Sequence, residues 1–340
     1  MIHFDDGEFE IAVVTCRRPE FVRGWLDKCY CHAQKRNIRV SIYDSSPDDL
    51  TKRVVEEYRK NSGEIEYHRV DDSVSVGYKP MFPIYNSKSE YLWICGDSRY
   101  HDFDQLEQVL FPCIKEKKHD YIVINLDHLV NLDDTVFMDE NELFVSAFIP
   151  STCIGMSIYR LSLFESLKND PVLLERCDSS YKDNYGFGHL GYFYTVFSMG
   201  KYVSALLNVK TYEIMKKKKV QLWRTRFYGC WAEDLCAIVD RLPDSYLSKE
   251  KVLKEVWQTM RLDSFSYCYK ARKYGDLNIE YFNKLIDEGV WKRLTNKQTR
   301  LKFFAIAPIR LLDFIFICYS GLRKLKLICG SLTNTNDGIR

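Results

Sequence analysis

Between Glu10 and Leu126, short unbroken apolar runs alternate with segments of helical spacing, an alternation that few folds satisfy. Ile11–Thr15 (IAVVT) is a continuous β-branched run of the kind a strand buried on both faces needs. In Pro19–Cys29, which follows, Phe21, Val22, Trp25 and Leu26 recur at helical spacing. Ile38–Tyr43 reads as the second strand, Asp48–Tyr58 as a helix opened by acidic residues, and Ile65–Val70 as the third strand. Gly77–Ser87 predicts a helix made irregular by Pro80 and Pro83. Tyr91–Cys95 and Tyr121–Leu126 complete five strands, and strands separated by helices imply a parallel, doubly wound α/β sheet. Leu143–Ala147 and Ile154–Tyr159 read as strand-like, helices are expected around Leu161–Leu167 and His189–Met199, and Val203–Leu207 closes this half as a strand.

Past Lys216 the character changes. After the basic run Lys216–Lys219, Trp231–Leu242 and Ser248–Met260 read as helices separated by the Pro243 turn. The expected organisation is an α/β domain over residues 1–215, a helical region over 216–298 and a basic amphipathic tail over 299–340. With 49 basic against 47 acidic residues, the net charge of +2 argues against a dedicated nucleic-acid binder, which carries a marked basic excess. The 12 cysteines are scattered, and the nearest pair, Cys29 and Cys31, has the wrong spacing for a zinc knuckle or a redox pair. Cys95, Cys153, Cys236 and Cys318 lie in apolar runs, which points to free thiols in a reducing compartment. The acidic start MIHFDDGEFE has no basic stretch leading into an apolar one, so a cytoplasmic location is expected.

In an open parallel sheet, ligands bind outside the carboxyl ends of the strands. Those positions are polar in this chain: Thr15-Cys16-Arg17-Arg18, Asp44-Ser45-Ser46-Pro47-Asp48, Asp71-Asp72-Ser73 with Gly77, and Gly96-Asp97-Ser98-Arg99. The turn after the first strand has no glycine before Gly24, which speaks against NAD, FAD and P-loop binding and against a nucleotidyltransferase loop.

In their order and spacing these fragments resemble the family 2 glycosyltransferases of GT-A fold. The resemblance covers roughly residues 9 to 210 and rests on Val14-Thr15 with Arg17 or Arg18, Asp44 to Asp48, Val76-Gly77-Tyr78-Lys79 and Trp93-Ile94-Cys95-Gly96-Asp97. It implies a Rossmann-like nucleotide-diphospho-sugar transferase domain followed by a mostly helical region. It also implies that Asp44 accepts hydrogen bonds from the nucleotide base, that Thr15 and Arg17 line the same pocket with Gly77 and Lys79, and that Asp97 sits beside the diphosphate and holds Mn or Mg. Other readings stay open: Asp44 as a helix cap and Asp97 as a turn residue. The family's second metal carboxylate should fall at Ser98 or Arg99, and neither can act as one. Either Asp97 holds the cation together with phosphates and water, or Arg99 supplies the positive charge instead.

Inverting transfer needs a base at the acceptor hydroxyl. The family places a carboxylate at the start of a helix beyond a small-residue segment, here Ser151–Ser157; the helix after Tyr185-Gly186-Phe187-Gly188 begins instead with His189, a base that works near neutral pH. His189 can equally be a packing residue among Tyr192, Phe193 and Tyr194, and the Glu233-Asp234 pair resembles the family's acidic motif or simply opens a helix. The expected activity is therefore hexosyl transfer, with inversion, from a UDP-sugar to a saccharide or lipid-linked saccharide of a surface-polysaccharide pathway. The rival is a non-catalytic nucleotide-sugar-binding or scaffold protein. In the tail, Phe303–Leu322 has only Arg310 and Asp313 charged, and Arg300–Lys326 carries six basic residues against one acidic. That pattern fits a helix lying on the cytoplasmic face of an anionic membrane better than one crossing it, with docking on the fold or in a homodimer as the alternative.

Overall fold

The computed structural model describes residues 1–73, 79, 81–153, 155–165, 202–214 and 228–320. It divides into two compact units, one made of residues 1–219 with 237–252 and the other of 220–236 with 253–340.

The first unit is built on strand β1 (Phe9–Thr15), whose inward residues are buried on both faces of the sheet. The chain continues through α1 (Pro19–Trp25), a wide turn over Leu26–Tyr30 and α2 (Cys31–Gln34) to β2 (Arg39–Asp44). After β2 come α3 (Leu50–Ser62), β3 (Glu66–Arg69), α4 (Met81–Asn86) and β4 (Tyr91–Gly96). These strands pair in parallel, β1 lying between β2 and β4, as the apolar runs predict. The short β5 (Arg99–His101) leads into α5 (Phe103–Lys115), whose first turn is capped by the Asp102 side chain, and then into β6 (Tyr121–Leu126).

Two features depart from the sequence reading. The sheet is mixed: its order is β3-β2-β1-β4-β8-β6-β9-β7, counting β7 (Thr135–Phe137), β8 (Ser157–Arg160) and β9 (Ser204–Val209), and β8 runs antiparallel to both β4 and β6. A separate two-stranded ribbon joins β5 to β10 (Thr211–Ile214). The reversal at β8 has a consequence for position. Because Trp93 pairs with Ile158 and Tyr91 with Arg160, the residues leading into β8, not those leaving it, reach the carboxyl end of β4.

The second departure is Leu143–Ala147, which is helical rather than extended, within α6 (Glu140–Ser151). Asp139 is the reason. Its side chain accepts the backbone N–H of Asn141 at 2.6 Å and of Glu142 at 3.3 Å, satisfying two of the donors that a helix start leaves open, with Glu140 and Glu142 in the favourable first turn. The helix kinks at Ala147, where φ is −130° and ψ 22°.

The second unit is helical: the chain leaves it within α7 (Leu235–Arg241), returns to it within α8 (Lys249–Thr259), and continues through α9 (Phe265–Lys273), α10 (Ile279–Asp287), α11 (Val290–Leu294) and α12 (Gln298–Ile306). Its centre is a triangle of buried rings: Tyr228, Trp257 and Trp291, with centroids 5.6 to 5.7 Å apart. Glu233, in the turn before α7, is held by the Lys284 ammonium at 3.0 Å.

Asp139→Ala removes the cap that decides α6 in favour of helix, and should cost about 1 kcal/mol of unfolding free energy. Urea denaturation of the variant checks this, and an unchanged midpoint would remove the cap from the explanation.

Candidate functional site

The carboxyl ends of β1 and β2 are laced together by short polar residues. Register sets Thr15 beside Asp44, and the Ser45 N–H donates to the Thr15 carbonyl at 3.1 Å. One turn on, the Arg17 N–H donates to Ser46 Oγ at 2.7 Å while Arg17 itself sits at φ +55°, in the left-handed region that non-glycine residues avoid. Asp44 is buried at the centre of this lacing. Its Oδ1 takes the Ser46 N–H at 2.8 Å and the Ser46 hydroxyl at 2.5 Å, and its Oδ2 takes the Tyr67 hydroxyl from β3 at 2.9 Å. Asp44 thus shapes an Asx-type turn; α3 starts later, at Leu50, with Asp49 at its cap position. Arg69 braces the same loop by donating to the carbonyls of Ser46 and Asp48. The Tyr43 and His68 rings stack beside it at 4.5 Å.

One strand over, Asp97 is fully buried in the turn that follows β4. Thr15 Oγ1 donates to its Oδ2 at 2.6 Å. Arg18 Nη2 lies 2.9 Å from Oδ1, but off the line that a hydrogen bond requires, so Oδ1 accepts no hydrogen bond among the described residues. Burial pushes the Asp97 carboxyl up to about 6, against the pull of the Arg18 guanidinium and the Thr15 hydroxyl. Arg18 is itself 41% exposed, so one end of this ion pair faces solvent and the other does not. The lead-in to β8 adjoins the same turn: a Cβ placed on Gly155 would stand 3.7 Å from the Gly96 nitrogen, and the Gly155 carbonyl accepts the Trp93 indole N–H at 3.1 Å.

The structure therefore brings Thr15, Asp44 and Asp97 together at adjacent strand ends. Arg17 turns outward, its guanidinium 4.0 Å from Asp72, and the residue that meets Asp97 is its neighbour Arg18. Sequence alone leaves the two arginines equivalent; the left-handed backbone at Arg17 separates them. Tyr67 and Ser46 also belong to the site, and the only signal for them was their place beside a strand end. Lys79 is half-buried and its charge reaches Asp71. Arg99 lies on β5, where its charge bears on His101 and Cys153. His101 is buried against Trp93 and, mainly by burial, driven down to about 3, which keeps it neutral. Gly77 and His189 lie outside the described residues.

As a cation site the arrangement is thin. Among the described residues no three His, Cys, Asp or Glu side chains converge, and Asp97 contributes a single open oxygen. Mn and Mg are hard ions that require several oxygen ligands, so this side chain does not hold one unaided.

No protein-family model matches the chain. No curated protein matches it in sequence. Among solved structures it is similar to S. aureus TarS 1–349 in complex with UDP, at 14% identity over 91% of each chain with a TM-score of 0.53. The complex of the same protein with UDP-GlcNAc aligns at 13% identity over 91% of each chain, TM-score 0.52. The mannosyltransferase PcManGT from Pyrobaculum calidifontis, in complex with GDP-Man and Mn2+, aligns at 12% identity over 88% of this chain and 84% of its own, TM-score 0.47. At these identities the likeness concerns the fold, which is the GT-A-like α/β fold with a helical C-terminal region.

Two outcomes follow from the site. A carboxyl held at about 6 when folded, and near 3.8 when unfolded, binds more protons in the folded state between those values. Stability should accordingly fall as pH rises through that window, by about 3 kcal/mol for a two-unit shift. Asp97→Asn should abolish that slope in melting curves recorded in EDTA from pH 4 to 7.5, and equal slopes in the two proteins would contradict the burial argument. Asp44→Ala should cost about 1–3 kcal/mol by stranding the Ser46 N–H and the Tyr67 hydroxyl. Asp44→Asn keeps an acceptor and should melt closer to wild type; differential scanning calorimetry separates the two.

Proposed function

We propose that the chain is a glycosyltransferase that binds a nucleotide-diphospho-sugar, a UDP-sugar by default, at the carboxyl ends of β1, β2 and β4. The observation that carries this reading is the buried Asp97, hydrogen-bonded by Thr15 through one oxygen and ion-paired to the half-exposed Arg18 through the other, at the switch between the β1 and β4 ends of a GT-A-like sheet. A uridine donor is also supported by the structures of S. aureus TarS 1–349 with UDP and UDP-GlcNAc, which share this fold.

In this reading the transfer is a displacement with inversion. The acceptor hydroxyl forms a bond to the anomeric carbon, its proton passes to a base, and the bond from that carbon to the diphosphate oxygen breaks, with its electron pair leaving on the nucleotide. Arg18, beside Asp97, is exposed enough to turn from it to a phosphate and meet that negative charge. Asp97 in its charged form then has an open oxygen for the donor's sugar hydroxyls. A Cβ added at Gly96 would meet nothing within 4 Å, so in this reading the acceptor approaches at that turn. We assign the base to His189 from the sequence, and the acceptor to a saccharide or lipid-linked saccharide. Among the described residues Asp97 is the one carboxylate placed to meet a cation at the diphosphate, and Mn or Mg there would be completed by phosphate and water oxygens.

Isothermal titration with UDP, and melting shifts with UDP-, GDP-, dTDP- and CMP-sugars, test the reading. UDP and a UDP-sugar should raise the melting temperature of the wild type. Arg18→Ala should weaken UDP on the order of 10- to 100-fold, the loss of one charge-assisted hydrogen bond. Asp97→Asn should lose transfer and donor hydrolysis. A protein that binds UDP-sugars but neither transfers nor hydrolyses the sugar is a binding protein; one that ignores every nucleotide has a different function.

A further inference from the structure

After α12 the chain breaks at Ala307 (φ −59°, ψ 139°), passes Pro308 and re-enters a helix over residues 309–320, here α13. At 100° per residue this helix has two apolar sides. One docks within its own unit. Leu312 is fully buried, Phe316 stacks on Tyr269 at 4.1 Å, and Tyr319 meets Phe265 at 4.9 Å. Asp313 is held on the flank of that side, accepting from the Tyr269 hydroxyl at 2.5 Å and the Lys273 ammonium at 3.0 Å.

The opposite side carries Arg310, Leu311, Phe314, Ile317 and Cys318, and all five are exposed. Phe314 is 66% and Ile317 70% exposed, and with Leu311 they form an exposed apolar stripe of the kind that marks an interaction surface. α12 repeats the arrangement on a smaller scale: Leu301, Phe304 and Ala305 are buried, whereas Lys302, Phe303 and Ile306 are exposed.

We propose that the outward side of α13 is a membrane-docking surface, set into the boundary between headgroups and acyl chains of an anionic bilayer. Charge selects the occupant. The only acidic residue from Arg300 to Lys326 is Asp313, and it is committed to Tyr269 and Lys273, so the outward side is apolar and cationic with no anion on it. A second copy in a two-fold contact would bury Arg310 against the Ile317 and Cys318 end of its mate, with no carboxylate on the surface to pair it, which disfavours self-pairing. An anionic lipid surface satisfies both terms, burying Phe314 and Ile317 while Arg310 reaches up to phosphate along its aliphatic stem. Arg323, Lys324 and Lys326 follow in sequence and add to the same attraction. Among the described residues no helix is long and apolar enough to cross a membrane, and the inner side of α13 is already spent on its own unit.

The surface is separate from the donor site, so its test is separable from that of the proposed activity. Full-length protein is sedimented with phosphatidylcholine vesicles, with and without 30% phosphatidylglycerol. Wild type should pellet with the anionic vesicles, less with the neutral ones, and be partly released as salt is raised while the apolar contribution persists. Phe314→Glu with Ile317→Glu should reduce partitioning at least about tenfold, with unchanged melting temperature and UDP affinity because both sites are exposed. If the double variant melts lower, Arg310→Glu with Lys302→Glu gives the same readout through charge. Wild type left in the supernatant overturns the proposal, as does a double variant that pellets like wild type. A dimer by light scattering that the double variant abolishes also overturns it, in favour of a second copy as the occupant.

Discussion

The carboxylate of Asp97 sets the terms for everything around it. A buried carboxylate is costly, and this one is kept in place by a hydroxyl from the last residue of β1 and a guanidinium from the residue before α1. Both partners come from one strand end, so the β1–β4 pairing and the site are the same piece of construction. The Thr15 to Ser45 backbone bond and the Arg17 to Ser46 bond carry that rigidity across to β2, where Asp44 pulls its own loop into a tight turn. The result is a row of oriented polar groups, held by short links, at the edge where parallel sheets bind ligands.

The antiparallel β8 completes this edge from the other direction. Had β8 run parallel to β4, the small residues before it would lie at the far end of the sheet, away from Asp97. The reversal brings Gly155 beside the Gly96–Asp97 turn, and its φ of +93° is one that only glycine adopts easily.

Much of this was legible in the residue pattern. The apolar runs found β1, β2, β4 and β6, because strands buried on both faces leave a near-continuous apolar signature, and the polar segments after them found Thr15, Asp44 and Asp97. The pattern failed where the deciding term was not periodicity. Leu143–Ala147 has strand-like side chains, but the Asp139 cap starts a helix ahead of it. The choice of Arg18 over Arg17 rests on one backbone torsion, and the direction of β8 on its long-range pairing with β4 and β6; neither leaves a mark in the local residue pattern. The twenty residues of low charge over Phe303–Leu322 suggest a membrane or a docking role as alternatives, and within them the inner side of α13 packs on Phe265 and Tyr269 while its outer side stays exposed.

The central claim is that the Thr15–Arg18–Asp97 cluster receives the diphosphate of a nucleotide donor. A crystal structure of the protein with UDP tests it most directly. The account predicts phosphate oxygens within hydrogen-bond distance of the Arg18 guanidinium, which has then left Asp97, with the uridine lying toward the Asp44 turn. UDP bound elsewhere on the molecule, with Arg18 still paired to Asp97, would contradict it.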